Sequence, residues 1–165
     1  MERFLTDRLI LEERTMNDLD ESLNLDKDPE VVKYIPEVFN IINDETKHRE
    51  FVKNRIETNY PKDFGYWSIR LQETNEFLGW IFLIPETTNE FEIGWRLKRE
   101  SWGKGYASEA ANTIVKYALS NLRVNQIFAE IIVDNIASIK LAQKLGFKKD
   151  LELENGNVVK YVLSN

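Results

Sequence analysis

Cysteine is absent from the 165 residues, which excludes a disulfide scaffold, a thiol nucleophile and a cysteine zinc site. Histidine occurs once, in the run Lys47-His48-Arg49. A single histidine without a clustered partner makes a poor metal site, so no metal is expected, and His48 reads as a surface residue of a helix. Long apolar runs are missing too: Phe77 to Pro85, broken by Gly79, is far short of the roughly 18 residues of a membrane-crossing helix. The first eight residues hold no apolar export segment, so a cytoplasmic protein, neither secreted nor inserted, is expected. No basic block interrupts a formal net charge of −6. That balance argues against nucleic acid as a partner, because duplex binding draws on phosphate neutralisation. A local basic pocket for one small anion remains compatible with it. The four prolines are scattered, and no linker, repeat or low-complexity tract divides the chain. Residues 1–165 are therefore expected to form a single domain, which at this size buries about 70% of its unfolded surface.

What is present follows two periods. Arg8 to Glu13 sets Leu9 and Leu11 against Arg8, Ile10 and Glu12, as a strand does. Thr15-Met16-Asn17-Asp18 resembles a capping box that opens a helix through about Leu25. Asp44 is placed to cap a second helix over Glu45–Thr58, with Phe51, Val52, Arg55 and Ile56 on its inner face. Strand-forming segments at Gly65–Leu71, Phe77–Ile84 and Phe91–Leu97, separated by short polar turns, suit an antiparallel meander. From Tyr106 to Leu122 the apolar residues fall at helical intervals. Gln126–Val133 then reads as a buried strand and Ile136–Leu145 as a helix. Phe147–Glu154 and Val158–Leu163 read as a hairpin turned at Asn155-Gly156-Asn157. This order predicts an α+β fold, a mixed and mostly antiparallel sheet with helices on both faces.

Trp102-Gly103-Lys104-Gly105-Tyr106-Ala107-Ser108-Glu109 lies between a strand and the longest helix. Glycines there permit positive φ and a close backbone approach, so that successive N–H groups can face one concavity at a helix N-terminus. The run has neither the Gly-Lys-Ser/Thr of a P-loop nor the third glycine of a dinucleotide fingerprint, and a tight strand-to-helix turn needs the same glycines. A second motif, Asn135-Ile-Ala-Ser138 through Lys144-Leu145-Gly146-Phe147, starts a helix directly after a strand and stops it at a glycine. Asp134 or Asn135 capping the start, with Gly146 as the left-handed residue at the end, accounts for most of it. Ser138 in the first turn is left free to face the end of the preceding strand.

Together these two motifs resemble the cofactor signature of the GNAT N-acetyltransferases, and more closely the branch containing ribosomal-protein N-terminal (alanine or serine) acetyltransferases. Thr6-Asp-Arg-Leu-Ile-Leu11 and Glu92-Ile-Gly-Trp-Arg-Leu97 resemble that branch's first and fourth strands. The resemblance implies acetyl-coenzyme A as cosubstrate, in a cleft where the fourth and fifth of the strands above, Phe91–Leu97 and Gln126–Val133, splay apart. It implies that the backbone of Trp95, Arg96 and Leu97 pairs with the pantetheine arm and that Asn135 hydrogen-bonds it. Gly103, Lys104, Gly105, Ala107 and Ser108 would hold the pyrophosphate. Trp102 departs from the family's Arg/Gln at its position. The tyrosine that protonates the leaving thiolate in many relatives is replaced by Ala142, which leaves Ser138 as the nearest substitute.

The implied reaction is direct attack of a neutral primary amine on the thioester, on a peptide or ribosomal-protein N-terminus or on a small amine. A strand N–H near Trp95 would stabilise the oxyanion, and a base would take the ammonium proton. Glu92 is the first candidate base and Glu130 the second. Each also reads as an ordinary solvated strand carboxylate. Tyr66, Trp67, Trp80, Phe82 and Trp95 pattern as core, with Tyr34, Tyr66 and Trp95 also suited to line an acceptor pocket. Lys148-Lys149 reads as a solvated hairpin end. A monomer or homodimer is expected. The alternative is a non-catalytic acyl-coenzyme A-binding or sensory domain, suggested by Ala142.

Overall fold

A computed structural model describes residues 1–150 and 156–164. Its chain order is β1 (Phe4–Leu5), β2 (Leu9–Glu13), α1 (Leu19–Asp26), α2 (Pro29–Val32), α3 (Pro36–Phe39), α4 (Glu45–Glu57), β3 (Gly65–Leu71), β4 (Phe77–Pro85), β5 (Phe91–Leu97), α5 (Tyr106–Ser120), β6 (Gln126–Ile132), α6 (Ile136–Lys144), β7 (Lys148–Lys149) and β8 (Val158–Ser164). The short β1 shifts the count, so the splay expected between the fourth and fifth strands falls between β5 and β6. The strands form one eight-stranded sheet in the order β1-β2-β3-β4-β5-β6-β8-β7. Only β5 and β6 run parallel; β2 through β5 make the expected antiparallel meander.

The local signals act as their chemistry dictates. Thr15 and Asp18 form a reciprocal capping box, although it opens a single tight turn before α1. The Asp44 carboxylate accepts the Lys47 N–H at the start of α4. Strand alternation divides the sheet into two faces. Leu9, Leu11, Trp67, Ile69, Ile81, Leu83 and Ile93 pack with Ala110, Ala111, Ile114 and Ala118 of α5. The opposite face carries Tyr66, Trp80 and Phe82, against Leu25 of α1. Helices thus cover both faces.

Two features differ from the sequence expectation, and a third is described only in part. The short helices α2 and α3 fill what pattern left blank; each opens on a proline, where the missing N–H costs nothing. His48 is not a surface residue: it is 3% exposed and faces Asp26 across α1 and α4. Its charged neighbours in sequence conceal that it occupies an inward position four residues before Val52. The hairpin is described only at its ends, with exposed Lys148-Lys149 pairing to β8 and Gly156 at φ 64°; 151–155 lie outside the described residues. Among the described residues no helix is long and apolar enough to cross a membrane.

Candidate active site

Strands β5 and β6 are in register only at Phe91↔Ile127 and Glu92↔Phe128. Beyond that point they part, because each continues with its other neighbour, β5 with β4 to Leu97 and β6 with β8 to Ile132. The facing strand edges past Glu92 therefore lie open. A cleft of about 430 Å³ occupies this region, lined among others by Glu92, Trp95, Arg96, Glu130, Asn135 and Ser138. Tyr34 and Tyr66 line the same cleft as Trp95. Its far wall comes from Tyr34, Ile35, Pro36 and Glu37 on and before α3 and from α4. Sequence pattern marked Tyr34 and the inner face of α4 but gave no sign of α3.

Glu92, Gly94 and Arg96 alternate onto the face toward α1–α4. Gly94 is required there, since a Cβ would stand 2.5 Å from the Phe82 ring. Glu92 is half-buried, and burial, with Glu130 and Glu86 close by, pushes its carboxyl up to about 7. Arg55 opposes this shift. Glu130 is exposed. The two candidate bases are therefore unlike in burial, and Glu92, with its carboxyl raised to about 7, is suited to take a proton at neutral pH. Burial also pushes the Tyr66 phenol up to about 12, so it stays protonated.

Asn135 caps α6, its side-chain oxygen accepting the Ser138 N–H at 3.2 Å, which leaves its amide NH₂ for a ligand. The half-buried Ser138 hydroxyl lines the cleft. Ala142, one turn further on the same helix side, is wholly buried in the α5 core; no acid stands at that position.

The Gly103–Ser108 turn lies past the end of β5, outside the lining of this cleft. Gly103 and Gly105 take φ of 73° and 83°, as the sequence predicts. The first bond of α5 runs from the Glu109 N–H to the Gly105 carbonyl, so the N–H groups of Tyr106, Ala107 and Ser108 begin the helix without an intrahelical acceptor. Such groups, with the positive end of a 15-residue helix, suit an anion. The turn is clasped from a distance. Glu109 accepts bonds from the Thr6 hydroxyl (2.5 Å), the Arg8 N–H (2.9 Å) and Arg8 Nε (2.8 Å). Burial alone would raise its carboxyl, but these donors hold it below the usual range. Arg8 Nη1 also donates to the Lys104 carbonyl, and its guanidinium lies 4.5 Å from the Tyr106 ring centroid. Arg8 and Glu109 thus join the Thr6–Leu11 segment to the glycine turn, a link between residues 101 apart that no local pattern reveals. Trp102 also acquires a role: its indole N–H donates to the Leu97 carbonyl at 2.8 Å. Of the three backbone positions expected to pair with pantetheine, Leu97 is thus already engaged, and it does not line the cleft.

Beneath the cleft lie charges that no motif announced. Arg96 Nη1 donates to Asp26 Oδ1 at 2.6 Å, and Asp26 Oδ2 is 3.1 Å from His48 Nε2. Burial would raise the Asp26 carboxyl, but Arg96 and His48 hold it below its ordinary value; the ionised group accepts from both. Arg14, 7% exposed, lines the same cleft. Among the described residues no set of three His, Cys, Asp or Glu side chains is placed to hold a metal.

This architecture, a parallel pair splayed in an otherwise antiparallel sheet with a glycine turn beyond it, has known counterparts. The acetyltransferase (GNAT family) from Bacillus anthracis superposes with a TM-score of 0.82 at 23% identity, over 99% of this chain and 98% of that one. Spermidine N-acetyltransferase from Vibrio cholerae, solved with CoA and spermine, gives 0.74 at 20% identity, over 94% and 95%. In sequence, uncharacterized N-acetyltransferase p20 of Bacillus licheniformis is 33% identical over 154 residues, 91% of this chain and 84% of that protein. The family described as Acetyltransferase (GNAT) domain matches residues 8–148, from Arg8 of the clasp through α6. The chain belongs to the GNAT acetyltransferase family.

Proposed function

We propose that this protein transfers the acetyl group of acetyl-coenzyme A to the primary amine of a peptide N-terminus or a small molecule. The observation that carries this reading is the half-buried Glu92, its carboxyl raised to about 7, at the point where β5 and β6 part and on one cleft with Asn135 and Ser138. Gly103, Lys104, Gly105, Ala107 and Ser108 hold the pyrophosphate through backbone N–H groups. The open edge of β5 at Trp95 and Arg96 and the Asn135 amide hold the pantetheine arm.

Glu92 accepts the proton that the neutral amine sheds as it attacks the thioester, directly or through water. A β5 N–H near Trp95 meets the developing oxyanion. As the new C–N bond forms the C–S bond breaks, and Ser138 donates to the departing thiolate. With no cysteine in the chain, attack is direct. The strand motifs resembling the ribosomal-protein branch favour a protein or peptide N-terminus, and Glu130, being exposed, is the weaker base.

The base sets the acceptor. An α-amine of pKa about 7.7–8.0 is neutral in roughly one molecule in seven at pH 7, a lysine of about 10.4 in fewer than one in a thousand. Removing the lysine proton costs about 3.5 kcal/mol more, which a carboxylate titrating near 7 does not offset. Peptides with a free N-terminus should therefore be acetylated faster than the same peptides blocked at the N-terminus with a free internal lysine. Coenzyme A release gives the rates, and mass spectrometry locates the acetyl group. Exclusive ε-amine modification would refute the preference; binding of acetyl-coenzyme A with no release for any amine would favour the non-catalytic alternative.

A further inference from the structure

The floor of the cleft holds more cationic charge than it neutralises. Arg70, on the same sheet face, shows how this protein usually treats a guanidinium there: Asp18, Glu21 and Glu12 surround it. Arg96 is matched by Asp26. Arg14 has no carboxylate partner among the described residues, although it is 7% exposed. It rests on aromatic faces instead, 5.4 Å from the ring centroids of both Tyr66 and Trp80. Its Nε is buried without a hydrogen-bond partner, and so is that of Arg96. Arg96 shares the Trp80 ring at 4.5 Å, and Arg55 donates to the Tyr66 hydroxyl at 3.5 Å. At this end two guanidiniums, Arg14 and Arg96, thus share the Trp80 ring, and the carboxylate of Asp26 is already engaged by Arg96 and His48. The other end reverses the sign: Glu92 and Glu130 line it with Glu37.

A buried guanidinium left without a partner is costly unless something supplies an anion when the site is used. Burial lowers the Arg14 pKa to about 10, so it still carries its proton at neutral pH. Taking acetyl transfer to an amine as the reaction, we propose that the acceptor also bears a carboxylate, which Arg14 binds against Tyr66 and Trp80 while the amine lies at Glu92. The substrate class is an amino-acid-like zwitterion. Arg14 reaches as far as Trp80 on β4, and Glu92 stands one strand away on β5. Glu92 faces Ile84, four residues along β4 from Trp80 and about 13 Å away at roughly 3.3 Å per residue, so with both side chains reaching into the cleft the two charges of the acceptor lie on the order of 10 Å apart. A di- or tripeptide with a free C-terminus carries an α-amine and a carboxylate at about that separation. A polyamine would set a second cation against Arg14 and is excluded.

The test compares acceptors with an α-amine that differ at the acid: a length series of di-, tri- and tetrapeptides with a free C-terminus against their C-terminal amides. Coenzyme A release is followed throughout. A charge-assisted pair predicts that each acid of suitable length exceeds its amide by about 10- to 100-fold in kcat/KM. In Arg14→Met, which keeps the apolar stem on Trp80, the ratio should collapse toward unity, and Arg14→Lys should restore part of it. Equal use of acid and amide by the wild type, or an unchanged ratio in Arg14→Met, overturns the proposal. A second arm needs no turnover: the N-acetylated acid should raise the melting temperature of the wild type, its amide should not, and Arg14→Met should lose the difference. Should no amine be acetylated, the proposed reaction fails, and this arm alone decides the carboxylate site. Stabilisation by acid and amide alike overturns that site.

Discussion

The turn at Gly103–Ser108 and the floor around Trp80 are both built to meet charge, by opposite means. The turn uses backbone: two glycines at positive φ, the first N–H groups of α5, and a half-exposed clasp from Arg8 and Glu109. The floor uses side chains drawn from β2, β3, β4, β5 and α1, buried together with their charges. Backbone donors are generic and serve any member of a family that binds the same phosphate. Buried side chains are particular, so the carboxylate site proposed at Arg14 assigns acceptor choice to the floor. Perturbing the turn should change donor affinity, whereas perturbing the floor and its rim should change chemistry and acceptor selection.

The largest effect belongs to Glu92. Glu92→Gln should lower kcat/KM by about 10²- to 10⁴-fold, the usual contribution of a positioned base, and should remove from the pH–rate profile a rise through about 7. The same variant should gain stability. The wild-type carboxyl keeps its proton in the folded state up to about 7, against 4.5 when unfolded, so its ionisation destabilises the fold progressively across that window. At pH 8 the glutamine variant should exceed the wild type by up to about 3 kcal/mol in denaturant unfolding.

Gly105→Val comes next. A β-branched residue at φ 83°, with its Cβ 3.3 Å from Arg8 Nη2, incurs about 1–3 kcal/mol of strain. Calorimetry should show acetyl-coenzyme A binding weakened by roughly 10- to 100-fold on that basis, in a protein that still melts cooperatively. Ser138→Ala should lower turnover by about tenfold with donor affinity unchanged, the loss of one hydrogen bond to a charged group. A shift in donor affinity instead would return Ser138 to a structural place in the first turn of α6. Smallest is Glu109→Gln: its pairs are partly solvated and contribute about 1 kcal/mol or less, so donor affinity should fall only a few-fold. Were Glu109→Gln to alter the choice among acceptors, the division between turn and floor would fail.

The same division explains what could be read from sequence. The turn, the capping box at Thr15 and the meander rest on residues adjacent in the chain, and the positive φ at Gly103 and Gly105 follows from residue type alone. The floor rests on pairs such as Asp26 with Arg96 and Arg14 with Trp80, distant in sequence and joined only when β2 through β5 align. His48 misleads for the same reason, since its lysine and arginine neighbours point outward while the ring turns in to Asp26. The wall at α3, a four-residue helix like α2 before it, is too short to leave a periodicity.

The central claim is direct acetyl transfer. Coenzyme A release from acetyl-coenzyme A, followed with and without a peptide bearing a free N-terminus and matched to the N-acetyl product by mass spectrometry, tests it most directly. Release should need the amine and equal the acetylated product formed, with the protein unmodified. Release without the amine, acetylation of the protein itself, or tight binding with no release would contradict the account.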